Sequence, residues 1–202
     1  QQVNGLHALI GLADGTLSIK DLSVKDLLGG KGAISGKVTD LKGAPKYDLN
    51  FDISAKDAGR MLEMGGMGAQ TPGKYGSLSL KGTAAGDAND VTYDVAMGMT
   101  GVGLDGTAQG TATGLVSGGI PLINSTFDVK AKDTAALATL FGGPADAAKQ
   151  LGSVSFSGTS QSGADGLTYD VTLAIGGIGG SGKLAGKVTG VKGTPQVDTT
   201  LN

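Results

Sequence analysis

The sequence predicts a mainly β fold: a repeating antiparallel β-meander that forms an elongated curled groove, with one short helix in each repeat of about 76 residues. Three observations carry this expectation. First, Phe51-Asp52-Ile53-Ser54-Ala55-Lys56-Asp57 returns as Phe127-Asp128-Val129-Lys130-Ala131-Lys132-Asp133. At the same offset Gly76-Ser77-Leu78-Ser79-Leu80-Lys81-Gly82-Thr83 returns as Gly152-Ser153-Val154-Ser155-Phe156-Ser157-Gly158-Thr159, and Thr92-Tyr93-Asp94-Val95 returns as Thr168-Tyr169-Asp170-Val171. About a third of the positions from Gly43 to Met99 match their partners without a gap, which marks an array. Second, 38 of 202 residues are glycine and only 4% are aromatic, a profile suited to short strands joined by tight turns. Third, apolar and polar residues alternate over segments of strand length.

Taken in order, Gln1 to about Asp14 carries Leu6, Leu9, Ile10 and Leu12 at helical spacing, interrupted by Gly5 and Gly11, and predicts a helix. Leu17 and Ile19, then Leu22 and Val24 after a slip at Asp21, predict a strand, and Lys25 to Gly32 a turn-rich link. Ile34, Val38 and Leu41 belong to the next strand, which ends at Lys42-Gly43-Ala44-Pro45. Tyr47, Leu49, Phe51 and Ile53 then alternate with Lys46, Asp48, Asn50 and Asp52, one set for each face of a sheet. At Asp57 the period changes: Met61, Leu62 and Met64 follow a carboxylate able to cap a first turn, and Gly65-Gly66 stops the helix. Asp133 stands in the same position before Leu137, Leu140 and Phe141, with Gly142-Gly143-Pro144 behind. Leu78 and Leu80 open another strand, and Gly86 to Asp90 turns into one carrying Val91, Tyr93, Val95, Met97 and Met99. The second repeat supplies Phe127 and Val129, Val154 and Phe156, then Leu167, Tyr169, Val171, Leu173 and Ile175. The pattern predicts four strands and one helix per unit and about eleven strands in all.

These spacings divide the chain into 1–31, the end of a preceding repeat; 32–105 and 106–181, two full repeats; and 182–202, the start of a third. The array is expected to be one continuous elongated domain, and a piece of a longer protein. A net charge of -2, from 16 basic and 18 acidic residues, offers no basic stripe for phosphates, so nucleic acid is not an expected partner. The absence of cysteine removes disulfides and thiolate metal sites and fits any compartment.

The apolar set lines one face. Four strands about 4.8 Å apart, each about nine residues long at about 3.3 Å per residue, present roughly 500 to 600 Å² per unit. A helix about 12 Å long and about 10 Å wide hides about a fifth of that. So broad an apolar area must curl over itself or hold something greasy. With few rings to fill it, the interior is expected to be hollow and suited to acyl chains, each methylene being worth about 0.8 kcal/mol out of water.

The hairpin with its Pro45, the Asp-capped short helix, the Gly-Ser-Leu-Ser-Leu-Lys-Gly-Thr strand and the glycine-rich return together resemble the C-terminal region of the AsmA-like family, over about Gly15 to Asn202. The resemblance implies a repeating β-groove in a periplasmic, inner-membrane-anchored envelope protein of Gram-negative bacteria, conducting phospholipid between inner and outer membranes. It implies membrane contact through parts outside this chain, and further repeats or envelope proteins at both open ends. The groove lining would be Val38, Tyr47, Leu49, Phe51, Ile53, Leu78, Leu80, Val91, Tyr93, Val95, Met97, Phe127, Val129, Val154, Phe156, Leu167, Tyr169, Val171, Leu173 and Ile175, with Met61, Met64 and Met99 adding adaptable contacts. Tyr93 and Tyr169 suit a groove rim, where a ring with a polar tip meets water. No enzymatic activity, cofactor or metal is expected. The alternative is a structural or adhesive cell-surface repeat protein whose sheet closes over a dry core.

Other candidates yield to plainer readings. His7 is the only histidine, so a multi-histidine metal site is excluded by count. Gly86-Asp87-Ala88-Asn89-Asp90 and Ser162-Gly163-Ala164-Asp165-Gly166 faintly resemble calcium loops, but their residues are those that hairpin turns require. Gly176-Gly177-Ile178-Gly179-Gly180 with Gly182-Lys183 imitates a phosphate cradle, yet Leu184 stands where a Ser or Thr belongs. Asp48, Asp52, Asp94, Asp128 and Asp170 fall on the solvated face.

Overall fold

Alternating side chains between glycine-bounded turns fold into a single meander of twelve antiparallel strands in which spatial order equals chain order. They are β1 (Val3–Ala13), β2 (Thr16–Leu27), β3 (Gly30–Thr39), β4 (Lys46–Ala55), β5 (Leu78–Gly86), β6 (Val91–Met99), β7 (Leu104–Thr113), β8 (Leu122–Ala131), β9 (Val154–Gly163), β10 (Gly166–Ile175), β11 (Gly180–Thr189) and β12 (Gln196–Leu201). Helix α1 (Ala58–Met64) links β4 to β5, while α2 (Thr134–Leu140) and α3 (Ala145–Lys149) link β8 to β9. A 3-10 turn, Thr100–Val102, joins β6 to β7. The computed structural model describes residues 3–27, 29–64, 73–116, 121–140, 143–163, 166–189 and 196–201. The sheet does not close: β1 and β12 are its two edges.

The repeat is visible in individual hydrogen bonds. Ala58 N–H donates to the Gly76 carbonyl at 2.7 Å, and Thr134 N–H to that of Gly152 at 3.3 Å. Gly101 N–H donates to Tyr75 at 2.9 Å, as Gly177 N–H does to Leu151 at 2.8 Å. Asp57 accepts from Gly59 N–H at 3.0 Å and Asp133 from Ala136 N–H at 2.9 Å, so the expected caps hold both helix starts. Counted from β1, the chain holds three four-stranded units, β1–β4, β5–β8 and β9–β12. The boundaries at 32, 106 and 182 each fall inside the third strand of a unit, because an array can be divided at any phase.

Three expectations need correction. The segment read as helical, Gln1 to Asp14, is strand β1 over its described part, because Leu6, Ala8, Ile10 and Leu12 alternate and pair with Val24, Leu22, Ile19 and Leu17. That raises the count from about eleven strands to twelve among the described residues. The Lys25–Gly32 link is short, since β2 runs to Leu27 and β3 starts at Gly30. The slip at Asp21 is a β-bulge: Leu9 faces Asp21 and Ile10 faces Ile19, leaving Lys20 as the extra residue. Helix α3 had no counterpart in the sequence reading; the stop at Gly65-Gly66, the helix position Phe141 and the first stop residue Gly142 lie outside the described residues.

The compact core is small and sits at one end of the strands. Ala58, Tyr75, Met99 and Val102 form it, with Leu62, Leu78, Leu104 and Ala136 packed against it. Val102 is fully buried, so Val102→Ala should lower stability by about 2 kcal/mol through lost methyl burial and an unfilled cavity, measured as a shift of the urea midpoint.

Candidate functional site: an apolar sheet face

Cross-strand register decides which side chains share a face, because a shift of one residue turns a strand over. From β3 to β12 the pairings run without a register shift and generate five parallel rows perpendicular to the strands, whereas β2 pairs with both neighbours through register shifts. The outermost row runs Leu17, Val38, Tyr47, Gly86, Val91 and Ala112, and reappears with Leu167, Val188 and Val197. The second carries Leu49, Ala84, Tyr93, Gly110, Ser125, Ser160, Tyr169, Gly186 and Thr199. The third carries Ile34, Phe51, Gly82, Val95, Ala108, Phe127, Gly158 and Val171. The fourth carries Ile53, Leu80, Met97, Gly106, Val129, Phe156 and Leu173. The last carries Ala55, Leu78, Met99, Leu104, Ala131, Val154 and Ile175. All twenty residues assigned from sequence to the lining therefore project from one side.

Only the last row is covered. Ala55, Met99, Ala131 and Val154 are buried where the helical connections fold over the sheet end. Met99 thus belongs to the core and is not an open contact. The first four rows are half-buried for most of their length, and Ile34 and Phe156 are exposed. Among the described residues seven hydrophobic side chains are fully buried, and most of the apolar rows are partly covered by their neighbours on the sheet. The closed, dry sheet of the alternative reading is not the architecture found.

The second row holds a feature that the sequence reading missed. Tyr93 on β6 extends over Gly110 of β7, and its hydroxyl hydrogen-bonds with Ser125 on β8. Tyr169 on β10 does the same over Gly186 of β11, meeting Thr199 on β12. A Cβ on Gly110 would stand 1.9 Å from the Asn124 carbonyl oxygen and 2.9 Å from the Tyr93 hydroxyl, so only glycine lets strand and ring approach. Such glycine positions shielded by an aromatic ring are where sheets acquire curvature. Both tyrosines are spanning struts in the second row of the face. Seeing this from sequence would have required pairing the Tyr and Gly repeats across adjacent strands.

Tyr47, beside Gly86 in the outermost row, has its phenol pushed up from the ordinary tyrosine value by burial and by the Asp87 carboxylate. Asp87 itself is held below the usual carboxylate range by the backbone N–H groups of Asn89 and Asp90, at 2.8 and 2.9 Å, with Lys46 adding to the effect. A carboxylate depressed in the folded state supports the fold above its unfolded pKa, and that support is lost as pH falls through the folded value. The β5–β6 turn should therefore loosen on acidification below the ordinary aspartate range. Asp87→Asn should abolish that acid step, read as amide exchange at Asn89 and Asp90.

The opposite face is polar. Asp48, Asp52 and Asp128 pair with Lys37 at 4.0 Å, Lys81 at 2.9 Å and Lys130 at 3.2 Å, all exposed contacts worth little to stability. A hollow of about 810 Å³ lies on this side, between the cross-strand rows Thr83–Asp94–Gln109–Thr126–Thr159–Asp170 and Thr92–Thr111–Asn124–Gln161–Thr168. Threonines, amides and carboxylates supply most of the residues around it, with Ala85, Tyr93, Gly110 and Tyr169 also lining it.

The weaker candidates resolve as structural. Asp87 turns its carboxylate onto its own loop, as turn residues do. Ser162 donates to the Pro121 carbonyl and accepts from Ile123 N–H, while Ala164 and Asp165 lie outside the described residues. Gly176 and Gly177 spend their N–H groups on Ser153 and Leu151. His7 Nδ1 lies 3.0 Å from Asp21 in an exposed pair. Among the described residues no group of three His, Cys, Asp or Glu could hold a metal, and no helix is long and apolar enough to cross a membrane, which says nothing of a β-barrel. Comparison with known proteins finds no matching family model, curated protein or solved structure.

Proposed function

We propose that this chain is a lipid-binding conduit segment, shielding phospholipid acyl chains against its apolar sheet face while head groups stay near water. The proposal places it in the periplasm, as part of an inner-membrane-anchored envelope protein of AsmA-like type moving phospholipid between inner and outer membranes. One observation carries the reading: five rows run in phase across the sheet from β3, largely apolar although the second carries Ser125, Ser160 and Thr199, and the side chains buried among them are confined to the last row. Twelve strands about 4.8 Å apart and about 30 Å long make a face on the order of 1,700 Å², several times the apolar patch of a typical soluble monomer. Tails need no directional partners, so small and medium side chains such as Val, Leu, Ala and Met suffice as a lining.

Mass spectrometry of an organic extract from the purified protein tests this. Stoichiometric phospholipid is the expected result; a clean extract from fully folded protein would leave a repeat scaffold.

A further inference from the structure

The polar face is not uniform. At the end of the strands where the helical connections lie, two hollows open on it, one of about 440 Å³ among β2, β3, β4 and β5 and one of about 540 Å³ among β8, β9, β10 and β11. Both are built on the same junction of the repeat: Lys56, Ser77 and Ser79 line the first, and their counterparts one repeat later, Lys132, Ser153 and Ser155, line the second. The backbone of each shared lysine is held alike, Lys56 N–H donating to the Gly29 carbonyl at 3.4 Å and Lys132 N–H to that of Gly103 at 3.1 Å. In the first hollow Lys31, Ser54 and Ser79 form one cross-strand row, on the side of the sheet opposite the apolar rows. Lys25 and Lys56 join them. These three lysines are exposed and make no ion pair among the described residues, whereas Lys37 and Lys81 each pair with an aspartate. Ser54 and Ser79 are half-buried, and Ser77 shares its hydroxyl with Thr100 at 3.2 Å. The one carboxylate in the lining, Asp26, accepts from Gly29 N–H at 2.8 Å. Asp105, in the same row as Ser79 and Lys130, lines neither hollow.

We propose that these two hollows bind phosphate groups, the first more tightly than the second. Three lysines against one engaged carboxylate select an anion, and since the whole chain carries a net charge of -2 the positive surplus is local. Each ammonium brings a compact charge with three donors, and the serine hydroxyls add directional ones. A phosphate presents more acceptor oxygens than a carboxylate and so can meet donors arriving from several strands at once. The second hollow has two lysines, and Lys130 is shared with Asp128 at 3.2 Å, which makes it the weaker site. The inference does not rest on the binding of lipid tails, because the hollows and the apolar rows lie on opposite sides of the sheet. A free phosphate and the phosphate of a membrane headgroup offer the same oxygens, and the two sources are separated by experiment.

Inorganic phosphate titrated into isotope-labelled protein at constant ionic strength, with chloride as the balancing salt, should give saturable amide shifts at Lys31, Ser54, Lys56 and Ser79 and weaker ones at Lys132 and Ser155. Lys31→Gln combined with Lys56→Gln should raise the phosphate concentration needed at the first hollow about tenfold or more. The second hollow should respond as before, which also shows that the variant is folded. Co-sedimentation with phosphatidylglycerol vesicles, against phosphatidylcholine vesicles, identifies the source. A preference for phosphatidylglycerol that falls in the double variant assigns the site to a membrane headgroup, and phosphate shifts without such a preference assign it to a soluble phosphate. Shifts that are absent, that do not saturate, that an equal rise in chloride reproduces, or that survive the double substitution overturn the proposal.

Discussion

Gly110→Ala should lose on the order of 2–4 kcal/mol of stability, although it adds a single methyl group. The added carbon would lie 1.9 Å from the Asn124 carbonyl oxygen, and that oxygen belongs to β8, which pairs with β7 along its whole length. Relief requires β7 and β8 to separate locally or Tyr93 to lift away from Ser125, exchanging a satisfied hydroxyl pair for an exposed one. Gly186→Ala should behave alike, since its Cβ would meet the Asp198 carbonyl oxygen at 2.2 Å and the Tyr169 hydroxyl at 2.7 Å. Gly11→Ala is the control: nothing lies within 4 Å of that position, and its effect should stay within a few tenths of a kcal/mol. Urea or thermal unfolding measures all three. A Gly110→Ala protein as stable as the Gly11→Ala protein would show that β7 needs no glycine there. The two severe substitutions lie in different units, so their effects should nearly add in the double variant.

Val95→Asp and Val171→Asp should each lower the phospholipid recovered per protein by about tenfold or more, because a carboxylate set among apolar neighbours keeps water where a tail would lie. Both valines stand in the third row, flanked by Gly82 and Ala108 in one unit and by Gly158 and Leu184 in the other. Asp94→Ser changes the charge one residue away but on the polar face, next to Thr83 and Gln109, and should leave the lipid content unchanged. Circular dichroism confirms the sheet in each variant. Equal losses from both faces would mean that the apolar side is not where lipid is held.

The strands were legible because period-two alternation and a 76-residue echo act together. Tyr47 to Ile53 could belong only to a half-buried strand, and Phe127 to Val129 repeats it. The facing of all twenty lining residues followed from the same alternation, since parity along a strand is parity across a sheet. What stayed hidden depends on more than one strand at a time. β1 was misread because Leu9 and Ile10 are adjacent, and consecutive apolar residues imitate a helix when the partner strand's bulge is out of view. Tyr75 and Val102 were missed as core because Tyr75 aligns with Leu151 and Val102 sits in a turn, where no period applies. The tyrosine struts join residues about thirty apart, and only a settled register brings Tyr93 to Ser125.

The recurrence of the same hydrogen bonds from unit to unit makes length an independent variable of this molecule. Each set of four strands advances the sheet by about 19 Å and makes new contacts only with the set beside it. A duplication of one unit would therefore extend the span in fixed increments and leave every earlier side chain where it was, so a gene can match such a sheet to a given distance by counting copies.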